Sequence, residues 1–234
     1  MLNVVCFFWG DKYPEYYVYR LQAMLERHLD WPHTFWCFTD RVDGLEGIPT
    51  QRLGREFAPD ALHRHNYSKL RALARGFGGF EVGSRLLVLD IDLVIVRDIV
   101  PVVDTDVPFK IWRSPCMSRP WVFNTSIMLM DAGCMDHIYR AFKDQPEIEK
   151  ALARQAGWSG TDQAIVSRHL GEDYPHYWDA QDGIYSYLDH FLGAGPQANL
   201  SETWQELPEN ARIISFHGPH TPDMNIPWVK EQWR

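Results

Sequence analysis

Arg85-Leu86-Leu87-Val88-Leu89-Asp90-Ile91-Asp92-Leu93-Val94 is the stretch that decides the fold. The unbroken apolar run before Asp90 describes a strand buried on both faces, as found in the middle of a parallel sheet with helices on each side. Two acids inside such a run need an explanation, because an unpaired buried carboxylate is costly and calls for a cation or several donors. Residues two apart in an extended segment project to the same side, so Asp90 and Asp92 can converge on one ion. Hard carboxylate oxygens suit magnesium or manganese. The pair stands beyond the carboxyl end of a strand, where open parallel sheets carry their ligand sites. The competing reading is a turn, with Asp90 as its cap and Asp92 in solvent.

Upstream, Asn3 to Phe8 reads as a first buried strand. From Pro14 to His28, Tyr17, Leu21, Met24 and Leu25 fall on one helix face, with Pro14 suited to a first helical position. His33 to Phe38 gives a second strand, and Tyr67 to Ala74 a helix begun near Asn66. Downstream, Ile127 to Met130 reads as a strand, Met135 to Lys143 and Thr161 to His169 as helices, and Arg212 to Phe216 as a late strand. This alternation predicts an α/β domain with a mostly parallel central sheet flanked by helices. At 234 residues one domain spanning 1–234 is the expectation, with a nucleotide-binding half over 1–100 and an acceptor-side half over 101–234.

Bulk properties exclude more than they select. A formal net charge of -8 argues against unaided binding to a nucleic-acid backbone. No stretch approaches the roughly 20 apolar residues that cross a bilayer. The N-terminal apolar run is short, lacks preceding basic residues and meets Asp11 and Lys12 at once, unlike a signal peptide. A soluble, cytoplasmic protein is expected. Cys6, Cys37, Cys116 and Cys134 are too dispersed for a paired-cysteine motif and read as buried free thiols. The second half is rich in aromatics, among them Trp158, Tyr174, Tyr177, Trp178, Tyr185, Tyr187, Trp204 and Trp228; most of these are expected in the core.

An ordered set of motifs resembles the GT-A-type glycosyltransferases, especially family 8 and the glycogenin-like enzymes. It comprises Ser68-Lys69-Leu70, the Asp-x-Asp segment Leu87 to Val94, Phe123-Asn124-Thr125-Ser126, Gly160-Thr161-Asp162-Gln163 and Phe216-His217-Gly218-Pro219. The resemblance implies that Asp90 and Asp92 hold manganese (or magnesium) against the diphosphate of a UDP-sugar, with Ile91 between them in the donor site. It implies that Lys69 brings positive charge near the phosphates or sugar, that Asn124 and Ser126 line the donor sugar, and that Asp162 and Gln163 contact the transferred sugar near the reacting carbon. Asp162 has a second reading as a helix N-cap. Where the family commonly reads His-x-x-Gly-x-x-Lys-Pro-Trp, this chain has Ser215 at the histidine and Thr221 at the lysine. His217 is the nearest substitute for the third metal ligand, and His220 is a candidate for the leaving phosphate. Asp40 is placed to meet the base, and Arg20 and Arg113 to meet phosphate or acceptor; a surface turn and solvated arginines are the alternatives.

The implied activity is metal-dependent transfer of a sugar, UDP-glucose or UDP-galactose being the donors favoured by resemblance, to an acceptor hydroxyl with retention of configuration. The acceptor is a glycan, lipid, protein or modified nucleobase. Two rivals stand beside it. Leu87 to Val94 also fits the first motif of haloacid-dehalogenase-like phosphatases, with Asp90 as nucleophile, although that motif normally opens its domain. The other is a catalytically inactive nucleotide-sugar-binding protein of the same fold.

Overall fold

The structure is a computed structural model; it describes residues 1–41, 43, 45–53, 65–113, 123–158, 161–191, 206–218 and 220–234. Cys116, Gly160, Trp204 and Pro219 lie outside them. The elements run in chain order from β1 (Leu2–Phe8), α1 (Tyr16–His28), β2 (His33–Thr39) and β3 (Thr50–Arg52) to a 3-10 segment (His65–Leu73). Then come β4 (Arg85–Leu89), β5 (Leu93–Ile95), α2 (Val100–Val103), β6 (Phe109–Arg113), β7 (Phe123–Asp131), α3 (Asp136–Asp144), α4 (Pro146–Gln155) and α5 (Asp162–Leu170). The last are β8 (Tyr177–Trp178), β9 (Ile184–Ser186), β10 (Ile213–Ser215) and α6 (Pro227–Gln232). Among the described residues no helix is long and apolar enough to cross a membrane.

Among the described residues seven strands form one sheet in the order β3-β2-β1-β4-β7-β6-β8. The four strands from β3 to β4 are parallel, β7 runs against both β4 and β6, and β8 is parallel to β6. The run from Arg85 is central, as its composition requires. Leu87 and Leu89 enter one apolar layer with α1, while Leu86 and Val88 enter the other with α3 and α5, the alternation a pleated strand imposes. α1 covers its side with Tyr17, Val18, Leu21, Met24 and Leu25, a stripe of helical period. It begins at Tyr16, so Pro14 precedes the helix, and its carbonyl accepts from the Tyr17 amide at 3.2 Å.

Three local expectations are corrected. Residues 65–73 wind as a 3-10 segment rather than an α-helix. Tyr67, Leu70 and Leu73 are all buried, and a spacing of three fits a three-residue turn. β7 starts four residues before the expected Ile127, because Asn124, Thr125 and Ser126 are buried with hydrogen-bond partners. Cys6 and Cys37 are buried free thiols, whereas Cys134 is exposed in the turn that follows β7.

Three strands form a second sheet, β5-β10-β9, in which β10 is antiparallel to β5 and parallel to β9. Ser215 pairs with Leu93, and the Phe216 amide donates to the Asp92 carbonyl at 3.0 Å. The C-terminal segment is thereby hydrogen-bonded to the Asp-x-Asp backbone. Gly183 holds this sheet to the chain that enters β10: its φ is +86° and a Cβ there would meet the Asn210 carbonyl at 2.2 Å. Gly183→Ala is expected to cost about 2–4 kcal/mol, from left-handed strain plus overpacking. Gly157→Ala, with φ +84° but open space around the Cβ, should cost only about 1 kcal/mol. Thermal unfolding of the two variants separates the clash from the backbone strain.

Candidate functional site

The parallel strands of the large sheet end along one edge, and β1 and β4 end side by side there, with Cys6 opposite Leu89. The residues that follow them, Trp9 to Tyr13 and Asp90 to Asp92, therefore meet. A cleft of about 280 Å³ lies there, lined by Phe7, Trp9, Lys12, Tyr13, Lys69, Asp90, Ile91 and Asp92.

Lys69 comes to this cleft from the 3-10 segment. It is only 5 % exposed, and its ammonium donates to Asp90 Oδ1 at 2.9 Å and Oδ2 at 3.0 Å. The same nitrogen stands 3.4 Å from Asp162 Oδ2, which also accepts the Thr125 hydroxyl at 2.5 Å. Burial alone lowers an ammonium pKa. Here the charges of Asp162 and Asp90 outweigh it, and Lys69 is pushed above its ordinary value. Its charge is committed to an internal ion pair with two carboxylates.

Asp92 differs. Burial, and then the charge of Asp90, push its carboxyl up to about 6. The Tyr13 hydroxyl donates to Asp92 Oδ2 at 2.5 Å, and burial followed by the Asp92 charge raises the Tyr13 hydroxyl pKa in turn. Tyr13 thus stays a donor at neutral pH. A carboxylate crowded by a like charge and held, among the described residues, by one neutral side-chain donor fits a divalent cation. Such ions commonly take one or two protein carboxylates and complete their shell with substrate phosphate and water.

Asn124, Ser126, Asp162 and Gln163 are linked to this core by hydrogen bonds and an ion pair. Asn124 Oδ1 accepts from the Ser126 amide at 2.8 Å and from Gln163 Nε2 at 3.0 Å. The Ser126 carbonyl accepts from the Asp90 amide at 2.9 Å. β7, α5 and the Asp-x-Asp segment are therefore one connected polar unit. Asp162 does not cap its helix: Thr161 does, accepting from the Ala164 amide at 3.4 Å. Asp162, the first helical residue, is free to face Lys69 and Thr125.

The three-ligand set Asp90, Asp92 and His217 is not assembled: no group of three His, Cys, Asp or Glu side chains is gathered for a metal among the described residues. His217 Nε2 lies 2.6 Å from the Ser186 hydroxyl and 3.3 Å from Asp189 Oδ2, so that nitrogen is occupied. Its Nδ1 is buried without a partner among the described residues, and so is the Ser215 hydroxyl. His220 packs edge-on to Tyr187 at 5.7 Å; burial and the neighbouring His217 lower its pKa.

Asp40 accepts the Gly10 amide at 3.1 Å, which fixes the loop after β1. Arg20 rests on the rings of Trp233 and Tyr16, at 4.1 and 4.8 Å, and Arg113 on Tyr177 at 4.7 Å. Of the aromatics, Trp178, Tyr187 and Trp228 are core, and Trp158, Tyr174, Tyr177 and Tyr185 pack against it half-buried.

Lys12 and Tyr13 were not among the residues the sequence singled out for the site, and Thr125 entered only as part of the Phe123-Asn124-Thr125-Ser126 motif. The rule that ligands meet the carboxyl ends of parallel strands, applied to the first strand as well as to the strand before Asp90, points to Lys12 and Tyr13.

No protein-family model matches the sequence, and no curated protein matches it. Solved structures do. The galactosyltransferase LgtC, in complex with donor and acceptor sugar analogs, superposes with a TM-score of 0.63 at 16 % identity, over 98 % of this chain and 93 % of that one. An active-site mutant of LgtC matches with a TM-score of 0.61 at 15 % identity, over the same shares of the two chains. The apo-form glycosyltransferase GlyE of Streptococcus pneumoniae matches with a TM-score of 0.59 at 14 % identity, over 96 % of this chain and 57 % of that one. The chain has the GT-A glycosyltransferase fold.

Proposed function

We propose that this protein is a divalent-ion-dependent glycosyltransferase that moves a sugar, with UDP-hexose as the donor class, onto an acceptor hydroxyl with retention of configuration. The observation that carries the reading is the placement of Asp90 and Asp92 together on one cleft at the carboxyl edge of the sheet, in a chain with the fold of glycosyltransferases.

Asp90 and Asp92 would hold manganese or magnesium, which neutralises charge on a departing diphosphate. Lys69 holds Asp90 and Asp162 in place as their shared counterion. Tyr13 orients Asp92 through Oδ2. Asp162 and Gln163, carried on the first turn of α5 and tied to Thr125 and Asn124, face the transferred sugar beside Ser126. The acceptor is a hydroxyl-bearing glycan, lipid, protein or modified nucleobase. The phosphatase alternative is not favoured, because the fold is that of glycosyltransferases and Lys69 binds both oxygens of the would-be nucleophile Asp90.

UDP at a hundred times its dissociation constant stabilises a folded protein by about 2.7 kcal/mol, equivalent to a melting shift of roughly 5–10 °C at this size. That shift is expected with manganese and not without it. Incubation with a panel of UDP-sugars should release UDP in the presence of metal. Absence of any UDP effect with manganese overturns the reading, while binding without turnover of any donor assigns the inactive binder instead.

A further inference from the structure

We propose that Lys12, a residue that no motif singled out, binds the diphosphate of the donor in this cleft. The inference rests on the nucleotide-sugar reading above and deepens it.

The argument is one of charge. The cleft and its floor carry Asp90, Asp92 and Asp162 against the buried ammonium of Lys69. Two negative charges are left over, which one divalent ion balances. A diphosphate brings at least two more, and an ion shared with two carboxylates offsets only part of that charge. Lys69 is not available for this task, because both its carboxylates lie within 3.4 Å and moving its ammonium to the ligand would strand them. Among the described residues Lys12 is the other cation on the cleft wall. It is exposed, and its ammonium lies 4.4 Å from the centre of the Tyr13 ring. It pairs with no carboxylate among the described residues.

The loop that carries Lys12 is held on both sides. Before it, Gly10 donates its amide to Asp40 at 3.1 Å and accepts from the Arg41 guanidinium at 3.0 Å. After it, Tyr13 is bonded to Asp92 at 2.5 Å. The ammonium is thus a flexible tip on a fixed base, close enough for its charge to act on Asp92. A compact ammonium on a long stem suits a phosphate that arrives and leaves. The same geometry gives Asp40 a role distinct from meeting the base: it anchors the loop that presents Lys12.

The test is titration calorimetry of wild type, Lys12→Met and Lys12→Arg with UDP, with inorganic pyrophosphate and with uridine, each with manganese present. Lys12→Met should weaken UDP and pyrophosphate about tenfold alike, the size of one charge-assisted contact, and leave uridine and manganese unchanged. Lys12→Arg should restore most of the affinity. Lys12 is exposed, so these variants should melt with the wild type. If wild type binds UDP with metal and Lys12→Met binds it equally well, the Lys12 proposal is overturned and the donor reading stands. If wild type binds pyrophosphate but not UDP, and Lys12→Met loses it, the proposal stands and the UDP-sugar reading falls. Binding of neither ligand by wild type overturns both.

Discussion

Replacing Lys69 by methionine is expected to lower the melting temperature by about 10 °C, the largest loss of stability in this site. The side chain is 5 % exposed, and its ammonium is 2.9 Å from Asp90 and 3.4 Å from Asp162. Methionine fills much of the volume but leaves those carboxylates facing each other without a counterion. Breaking a buried pair from one side costs about 3–5 kcal/mol, and a chain of this size loses about 2–4 °C per kcal/mol. The loss comes from the stranded acids rather than from the missing lysine, so the double variant Lys69→Met with Asp162→Asn should recover a large part of it. A double-mutant cycle on thermal unfolding reads that coupling directly. A single variant that melts with the wild type would show that Lys69 is not the internal counterion, and would return it to the pool of cations open to the donor phosphates.

The fold was legible where burial acts on contiguous residues. Arg85 to Leu89 could be placed at the sheet centre because a strand covered on both faces has no polar alternation, and Leu86, Val88 and Leu87, Leu89 do divide between the two layers. The small sheet was not legible as a sheet. Its strands have three residues each, and Leu93 finds Ser215 across about half of the chain, a pairing that no local period records. Nor does sequence state strand direction, so the antiparallel run of β7 beside β4 was hidden in an apolar segment that suits either direction.

The site shows the same division. Asp90 and Asp92 stood out because acids are rare inside apolar runs. Lys69 stood out by motif, yet its state did not. Its charge is met by Asp90 and by Asp162, which α5 brings over and the Thr125 hydroxyl holds. His217 could be named but not oriented, and the structure turns its Nε2 to Ser186 and Asp189. Tyr13 carried no signal of its own, as one of several tyrosines around the start of α1.

Asp92→Asn is expected to act in the opposite sense to Lys69→Met, and the contrast separates a functional carboxylate from a structural counterion. In the metal-free protein Asp92 is raised to about 6 by burial and by Asp90, above the ordinary carboxylate value. A group raised on folding contributes stability that is fully present below its unfolded pKa and is lost as pH rises through the folded one. Between about pH 4 and 6 the metal-free wild type should therefore lose a few degrees of melting temperature that the asparagine variant keeps. At pH 7 the variant should be the more stable protein, since it retains an oxygen for Tyr13 and removes a like charge beside Asp90. It should also lose the response to manganese with UDP, and sugar transfer should fall by at least about a hundredfold, the scale set by removing one group that stabilises developing charge. Thermal melts across pH with and without manganese and UDP, paired with a donor turnover assay, check all three effects. A variant that is less stable than wild type at pH 7 without metal would make Asp92 a structural residue, and the ion would then need other ligands. A variant that gains stability while losing metal response and turnover would show a carboxylate kept at a cost to the fold, as sites that await a cation keep theirs.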